Sequence, residues 1–331
     1  MANLPWRPVI KSTFHQHVDQ LRSDVNQVLF DLDIPEQPKY LYDPVRYVTK
    51  GEGKRLRPIL VMLTGAEFAA DETDTLHAGL AVELLHNFTL VHDDIMDADT
   101  LRHGQETVHI HWDESTAILA GDGIYALAQL IMSRVKTNPL AAVRAFNKAT
   151  LIVCEGQAYD KEFENKSGIT LNDYILMIEK KTGWLIGLCA ELGGILGNQE
   201  PSVLACLRSF GLNLGIAFQI QDDILEIVSD AGIMGKSLGS DVEAGKQTVL
   251  TIMARDLFPS EWDRLWLDWK SLPVVDRVRK MNSFIKERDI LTTAENLARD
   301  YIDKAYQELD RIAAGSRNLY DFTEMVLKRK K

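Results

Sequence analysis

Cysteine is scarce in this chain of 331 residues, and its spacing builds neither a cross-linked nor a metal-bound scaffold. The three cysteines, Cys154, Cys189 and Cys206, are odd in number and show no Cys-x-x-Cys spacing. A disulfide framework needs paired cysteines, and a structural zinc site usually needs closely spaced ones. The scarcity therefore argues against both classes and predicts a protein of the reducing cytoplasm.

Long uninterrupted apolar runs are also missing. The longest apolar stretch, Gly183–Gly197, is short for a membrane helix and is interrupted by Glu191. The segment 1–20 contains no apolar core of signal-peptide length. The sequence thus predicts a soluble cytoplasmic protein with no membrane span.

Positive charge is in short supply. Asp and Glu number 48 against 37 Lys and Arg, which gives a formal net charge of −11. A run of four consecutive basic residues, Lys328–Lys331, occurs only at the end of the sequence. Nucleic-acid binding depends on neutralising many phosphates with Lys and Arg. We therefore predict no nucleic-acid partner.

Strand patterns are absent, whereas helical patterns fill the chain. Apolar residues recur at helical spacing almost everywhere, without sustained period-two alternation between Asn-Gly or Asp-Gly turns. The longest patterns cover roughly residues 74–100, 170–196 and 200–229, well beyond a mean helix of about 11–12 residues. No low-complexity linker divides them. We predict a single all-α domain over residues 1–331, built as a bundle of long helices.

Two clusters of acidic residues interrupt these apolar helical patterns. Residues four apart on a helix share a face, so the first and last acid of each cluster project together. The first cluster consists of Asp93, Asp94 and Asp97, and the second of Asp222, Asp223 and Glu226.

The default interpretation of such a cluster is a solvated helix face. Like charges at this spacing, however, destabilise a helix by about 0.2–0.5 kcal/mol per pair, and no Lys or Arg lies within one turn of either cluster. Something outside these helices must therefore neutralise the charge. Carboxylate oxygens on facing helices suit Mg²⁺, which usually binds through one or two carboxylates together with substrate phosphate oxygens. The clusters predict a magnesium-dependent enzyme with a phosphorylated substrate.

Three groups of basic residues stand beside glycines, where they are suited to bind a diphosphate directly. Each group alone is a weak signal, because a lysine beside glycine is usually a solvated loop residue. Their order around the two acidic clusters makes the combination specific. The groups are Lys54, Arg55 and Arg57 after Gly53, Arg102 and His103 before Gly104, and Lys236 and Lys246 after Gly235 and Gly245.

These motifs, taken in order, resemble those of the trans-isoprenyl diphosphate synthase family, also called polyprenyl synthetases. The resemblance implies an all-α bundle around a deep central pocket, usually in a homodimer. It implies an enzyme that joins isopentenyl diphosphate to an allylic diphosphate with the help of about three Mg²⁺ ions. It spans roughly residues 50–250 and rests on Gly53–Pro58, His86–Arg102, Lys181-Thr182, Phe218–Asp223 and Gly235–Thr248.

The resemblance also assigns expected roles to individual residues. The expected metal ligands are Asp93, Asp94, Asp97, Asp222 and Asp223, which form the catalytic set together with Arg102, Lys181 and Lys236. The expected contacts to the allylic diphosphate are Arg102, Lys181, Thr182, Gln219, Lys236 and Lys246. The expected contacts to isopentenyl diphosphate are Lys54, Arg57 and His86.

Two positions depart from the family pattern. His103 stands where the family usually has a second arginine, so its contact with isopentenyl diphosphate is expected to be weaker or pH-dependent. Glu226 stands where the second cluster often has a third aspartate. Its longer side chain can still reach a metal-bound water.

The residues just before the first cluster bear on product length. Phe88 lies five residues before Asp93, and the small Thr89 lies four before it. In the family, an aromatic residue at the fifth position closes the pocket that holds the growing chain. With no insertion inside the first cluster, the expected product is geranylgeranyl diphosphate, with farnesyl diphosphate next.

Two alternative functions remain open. A class I terpene cyclase would not need the second diphosphate pocket of Lys54, Arg57 and His86, and it would normally carry an Asn/Ser/Glu-type motif in place of Asp222-Asp223. A catalytically silent partner subunit of another synthase would be expected to have lost one acidic cluster. The sequence favours the condensing enzyme on both counts.

Overall fold

The structure is a computed structural model that describes residues 13–51, 53–164, 166–228, 247–267, 272–312 and 317–327. Helices make up nearly all of this part of the chain. They are joined at one point by an antiparallel hairpin of two short strands, β1 (Leu101–Arg102) and β2 (Gln105–Glu106). The predicted all-α class is confirmed.

The helices follow one another with short connections. The first part of the chain forms α1 (Phe14–Phe30), α2 (Lys39–Thr49), α3 (Leu56–Glu67), α4 (Glu72–Met96), α5 (Val108–His111), α6 (Glu114–Met132) and α7 (Pro139–Glu164). The second part forms α8 (Leu171–Ile178), a π-helical turn (Glu179–Gly183), α9 (Trp184–Leu196), α10 (Pro201–Val228), α11 (Val249–Leu257), α12 (Pro259–Leu267), α13 (Val274–Glu287), α14 (Ile290–Asp310) and α15 (Arg317–Leu327).

Local sequence signals account for several helix starts. Asp71 caps α4 by accepting a hydrogen bond from the backbone N–H of Asp74. At α8, Thr170 and Asp173 form a capping box in which each side chain bonds the other residue's backbone N–H. A cap of this kind contributes about 1 kcal/mol. The helical patterns predicted over 74–100 and 200–229 correspond to α4 and α10, whereas the one predicted over 170–196 is divided by the π-helical turn.

Close packing of α9 against α10 depends on glycine. A Cβ added to Gly211 on α10 would lie 2.6 Å from the Cα of Gly187 on α9, so the two backbones touch there. Helix α9 also packs against α3 and α7, and α4 packs against α3 and α6. The two helices that carry the acidic clusters, α4 and α10, are therefore held on either side of the short helices α3 and α9.

Two groups of buried apolar side chains form the interior. The larger group joins α3, α4, α6, α9 and the first half of α10, and the smaller joins α8, the second half of α10, α11, α13 and α14. Helix α10 contributes to both, so it connects the two groups. Whether residues 1–331 form a single domain stays a prediction.

Within the described residues, two helical stretches, Glu114–Met132 and Pro201–Glu226, are long and apolar enough to cross a membrane. The most apolar window of each is 44% and 50% buried in the protein, as is common for core helices of soluble proteins. Two such stretches are weak evidence for a membrane protein. The predicted absence of a membrane span and the cytoplasmic location stay predictions.

Candidate active site

The first aspartate cluster lies at the C-terminal end of α4. Asp97 caps the helix, and its backbone N–H donates to the carbonyl oxygen of Asp93 at 2.8 Å. Asp94 is only 4% exposed, and Asp93 and Asp97 are half-buried as whole residues, with the Asp97 side chain 9% exposed. Carboxylates at a helix C-terminus oppose the helix dipole, whose negative end lies there. Three of them in about one turn require compensating cations.

Two basic side chains from elsewhere in the chain supply part of that compensation. Arg102 donates from Nε to Asp94 Oδ1 at 2.9 Å, and a second guanidinium nitrogen bonds the same oxygen. Lys161 on α7 places its Nζ 3.3 Å from Asp97 Oδ1. Part of the charge that neutralises the cluster therefore comes from elsewhere in the chain, outside α4. Tertiary packing brings in cations that the helix sequence lacks.

The hairpin after α4 explains how Arg102 turns back onto the cluster. His103 and Gly104, with φ of 51° and 78°, form the mirror-image two-residue turn that suits a tight hairpin. His103 is exposed at the tip. Partial loss of hydration, together with the charges of Arg102 and Lys54, lowers the pKa of His103. The imidazole that replaces the family's arginine is therefore mainly neutral at pH 7.

Arg55, grouped by sequence with the candidate diphosphate-binding residues, instead anchors the segment that carries Lys54 and Arg57. It begins α3 in the left-handed conformation, with φ of 51°, and is 6% exposed. Its guanidinium donates to Glu83 Oε1 on α4 at 2.7 Å and to Asn26 Oδ1 at 2.8 Å. Breaking a buried pair of this kind costs about 3–5 kcal/mol. Glu83, an isolated acid in an apolar helical stretch, was the signal that could have revealed it.

The predicted contacts to isopentenyl diphosphate come together beside this anchor. Burial lowers the pKa of His86 well below its ordinary value, and the nearby charges of Arg57, Arg102 and His103 act in the same direction. Burial also lowers the pKa of Arg57. The negative charge of Asp222 is one of several that oppose this effect, because it favours the protonated guanidinium. Within the described residues, Arg57 Nε is buried without a hydrogen-bond partner. This donor is suited to an anionic ligand.

A small apolar pocket adjoins Arg57. It lies between α3, α9, α10 and α15, and neither Phe88 nor an aspartate of either cluster lines it. It is therefore distinct from the deep central pocket predicted to run from the first cluster to Phe88, which stays a prediction. Its lining residues are Leu56, Arg57, Leu60, Ile186, Leu214, Phe218, Phe322 and Val326.

In the second cluster, Asp223 is built into the interior. Its Oδ2 accepts from the Tyr174 hydroxyl at 2.6 Å and from the Val249 N–H at 3.3 Å, and its Oδ1 accepts from Gln219 Nε2 at 3.1 Å. Burial and the Asp223 charge raise the pKa of Tyr174 well above its ordinary value, so the phenol stays a donor. Asp222, one residue earlier, is half-buried. Metal ligation by Asp223 stays a prediction, and these bonds favour Asp222 as the direct ligand.

The π-helical turn carries Thr182, which lies beside Gln219 on the helix of this cluster, and Lys181, whose charge acts on Asp93 of the first cluster. Thr182 donates to Gln219 Oε1 at 3.0 Å, and Lys181 Nζ lies 2.5 Å from Asp160 Oδ2 on α7. A Cβ added to Gly156 on α7 would lie 2.3 Å from the backbone nitrogen of Lys181, so the wide turn fits against α7 only at a glycine. Turns of this type frequently mark functional sites in helices. Asp160 was not predicted from the sequence, and only the packing of α7 reveals its contact with Lys181.

Phe88 occupies the position predicted for the end of the chain pocket. Its ring centroid lies 4.8 Å from that of His92 and 5.2 Å from that of Tyr125 on α6. Thr89 bonds its own helix, since its hydroxyl donates to the His86 carbonyl at 2.8 Å. Phe88 is thus held by neighbouring rings rather than exposed on a helix face. The roles of both residues in chain length stay predictions.

Two predicted lysines, Lys236 and Lys246, lie outside the described residues. Glu226 is half-buried at the end of the second cluster. The roles expected of these three residues stay predictions.

These carboxylates suit a Mg²⁺ ion whose remaining coordination positions are filled by substrate oxygens. They suit a metal centre made of protein side chains alone less well. Across the described ranges, no three His, Cys, Asp or Glu side chains converge closely enough to hold an ion by themselves. Burial raises the pKa of Asp93, and the Asp97 charge adds to that effect, so a cation here would favour the ionised form. Mg²⁺ commonly takes one or two carboxylates and fills its remaining positions with water and phosphate oxygens.

The structure is an all-α bundle in which two acidic clusters and several buried cationic side chains lie near one another. Comparison with known proteins gives the family. Residues 38–266 match the family model described as polyprenyl synthetase. The geranylgeranyl pyrophosphate synthase of Geoglobus acetivorans is 37% identical over 92% of this chain and 96% of its own length. The geranylfarnesyl diphosphate synthase of Natronomonas pharaonis is 36% identical over 72% and 76%.

The fold of a solved relative agrees. The crystal structure of geranylgeranyl pyrophosphate synthetase from Pyrococcus horikoshii matches with a TM-score of 0.86 and 32% identity, covering 96% of this chain and all of that one. The chain belongs to the polyprenyl synthetase family and is a prenyltransferase. The predicted family, fold and enzyme class, with short-chain prenyl diphosphate synthesis as the function, are confirmed.

Proposed function

We propose that the chain extends an allylic diphosphate with isopentenyl diphosphate and stops at geranylgeranyl diphosphate. This proposal rests on the proximity of cationic and acidic side chains. Arg57 interacts electrostatically with Asp222, and His86 interacts electrostatically with Arg57 and Arg102. Two anionic substrates and their metal ions can therefore be held side by side.

The carboxylates and cations divide the work at the allylic diphosphate. Asp93, Asp97 and Asp222 would hold Mg²⁺, which supplies charge neutralisation for the departing pyrophosphate. Arg102 and Lys181 would bind the phosphate oxygens directly. Both are paired with carboxylates in the structure, so they are already oriented toward the site.

Isopentenyl diphosphate would bind in the pocket of Lys54, Arg57 and His86. Arg57 brings a buried donor that lacks a partner within the described residues. His86 is neutral at pH 7, because its pKa is lowered, and it can donate one hydrogen bond without adding charge.

The reaction needs no side-chain nucleophile. The allylic carbon–oxygen bond breaks, both electrons leave with pyrophosphate, and the double bond of isopentenyl diphosphate attacks the allylic cation. A proton is then lost from the new cation to the released pyrophosphate, which restores a double bond. The protein's part is to orient the two substrates and exclude water from the cation.

Product length would be set below the first cluster by Phe88. The ring is packed between His92 and Tyr125, which supports a closed floor one to two turns beneath Asp93. Relatives that match comparably include both a geranylgeranyl and a geranylfarnesyl synthase. The residue at position 88 is therefore expected to determine whether the product is geranylgeranyl diphosphate or a longer prenyl diphosphate.

The test is to incubate the purified chain and Mg²⁺ with isopentenyl diphosphate and each candidate primer, then size the dephosphorylated products. We expect geranylgeraniol from the wild type and longer alcohols from Phe88→Ala. Tyr125→Phe, which keeps the ring, should retain the wild-type length and serves as the control. Equal chain lengths for Phe88→Ala and the wild type would contradict the proposed floor. No condensation by the single chain would contradict the proposed function.

We also propose a homodimer, formed by α6 and α7. Ile118, Leu119 and Leu130 on α6 are 48%, 46% and 63% exposed, and Leu140 and Leu151 on α7 are 60% and 63% exposed. Such an apolar surface on two adjacent helices is suited to a second copy of the same chain. Analytical ultracentrifugation should show a dimer for the wild type and a shift toward monomer for Leu130→Asp.

A further inference from the structure

Lys161 reaches from α7 to the end of α4 and contacts the first aspartate cluster. Its Nζ lies 3.3 Å from Asp97 Oδ1, 3.0 Å from the carbonyl oxygen of Met96 and 2.6 Å from Glu164 Oε1. Three oxygens match the three hydrogens that an ammonium group can donate. The lysine side chain is 33% exposed, whereas that of Asp97 is 9% exposed. The ammonium is thus held on a largely buried carboxylate.

The contacts of Lys161 exceed those of an ordinary surface ion pair. The pair with Glu164 lies within one helix, where such a contact contributes little to stability. The contacts with Met96 and Asp97 join two helices at the negative end of α4, where the dipole and the clustered carboxylates add up. A cation at this point offsets repulsion that the metal-free protein would otherwise carry.

The neighbouring residue shows that α7 presents opposite charges to the two parts of the site. Asp160 pairs with Lys181 at 2.5 Å, while Lys161 pairs with Asp97. Consecutive residues of one helix therefore provide a carboxylate for a predicted phosphate-binding lysine and an ammonium for a predicted metal ligand. Both pairs hold predicted site residues.

We infer that Lys161 is a tethered counter-ion of the metal site, which holds Asp97 in the metal-free protein and competes with Mg²⁺ for that carboxylate. The inference rests on the proposed function, since it concerns the metal site of that reaction. A fixed positive charge a few ångströms from the ion weakens metal binding. The same charge stabilises the empty cluster and favours release of the metal with pyrophosphate after each turnover.

Calorimetric titration of Mg²⁺ into the full chain, with inorganic pyrophosphate present, measures this competition without relying on turnover. Lys161→Met and Lys161→Gln remove the charge and should bind Mg²⁺ about tenfold more tightly than the wild type. Lys161→Arg keeps the charge and should retain the wild-type affinity. Lys180→Met is the matched control, because Lys180 pairs with Glu155 rather than with a cluster aspartate, and it should leave the affinity unchanged.

Thermal unfolding provides a second readout. The metal-free Lys161→Met protein should melt below the wild type, and Mg²⁺ with pyrophosphate should raise its melting temperature by more than it raises that of the wild type. Equal Mg²⁺ affinities for the wild type and both charge-neutral variants would overturn the role of Lys161 while leaving the metal site intact. A wild type that binds no Mg²⁺ with pyrophosphate would overturn the proposed metal site and this inference together.

Discussion

The two aspartate clusters are alike in sequence, but they differ in burial and in the side chains that contact them. The first lies at the end of α4, and its described partners are the partly exposed cations Arg102 and Lys161. In the second, Asp223 is 9% exposed and is fixed by three donors, the Tyr174 hydroxyl, the Val249 N–H and Gln219. The first cluster is held by charges that a metal ion can replace, and the second includes a carboxylate that belongs to the scaffold.

The same sequence motif can therefore have different roles at its two positions in the protein. An ion pair whose cation is partly exposed can exchange that cation for a metal ion, because the cation can move into water when the metal binds. A buried carboxylate with three hydrogen bonds cannot be released without leaving several donors unsatisfied. We therefore expect metal exchange to depend mainly on the first cluster, while Asp223 keeps α8, α10 and α11 in register.

The largest effect should come from removing one predicted metal ligand from each cluster. Asp93→Ala and Asp222→Ala should each lower kcat by about 10²–10³ or more, because charge on the departing pyrophosphate loses its stabilisation. Both variants should remain folded, since each substitution relieves repulsion between like charges. Steady-state kinetics at saturating Mg²⁺ measure the loss, with Asp303→Ala on the exposed side of α14 as the control. A near-native rate for either variant would remove that cluster from the catalytic site.

Next in size is the contribution of the scaffold bonds in the second cluster. Tyr174→Phe removes the hydroxyl that donates to Asp223 and should cost about 1–3 kcal/mol of unfolding free energy, because a buried carboxylate loses a donor. Urea unfolding of the metal-free protein measures this. Tyr159→Phe, on α7, is a matched change elsewhere in the smaller buried group and should cost less. Equal losses for the two variants would show that Asp223 is not fixed in the way described.

The loss of stability between pH 7 and pH 5.5 should arise in the first half of the chain, because no histidine follows His111. Burial lowers the pKa of His86 in the folded protein, whereas the unfolded chain titrates near its ordinary value of about 6.5. Below about pH 6.5 the unfolded state therefore binds a proton that the folded state does not bind. The free energy of unfolding falls by up to about 1.4 kcal/mol for each pH unit of acidification. His86→Gln should flatten this slope between pH 7 and pH 5.5 in urea unfolding. An unchanged slope would assign the acid response to other groups.

The smallest effect should come from His103, beside the first cluster. The imidazole is mainly neutral at pH 7, because its pKa is lowered, whereas an arginine is always charged and can bind phosphate with two donors. His103→Arg should lower KM for isopentenyl diphosphate by a few-fold, more at pH 8 than at pH 6, with kcat little changed. A KM that is the same at every pH would show that position 103 does not contact this substrate.

Much of the fold and of the candidate site could be predicted from the sequence, because both depend on local patterns. Helical spacing of apolar residues identified α4 and α10, and the Asp-Asp pairs stood out against that apolar background. Lys54, Arg57, Lys181 and Arg102 lie beside motifs of fixed order, so family resemblance could assign their roles. The division of the third long pattern by a π-helical turn was missed, since it depends on how α7 packs at Gly156.

By itself, the sequence determined the helical class, the two acidic clusters and the family, since helix periodicity and motif order are properties of residues close together in the chain. Only the tertiary structure decided which charge meets which. It placed Lys161 on Asp97, Arg55 on Glu83 and Tyr174 on Asp223, pairs that are 64, 28 and 49 residues apart. Electrostatic energies depend on distance and burial, and neither can be read from sequence separation. The clusters therefore look equivalent along the chain and become different only when the helices pack.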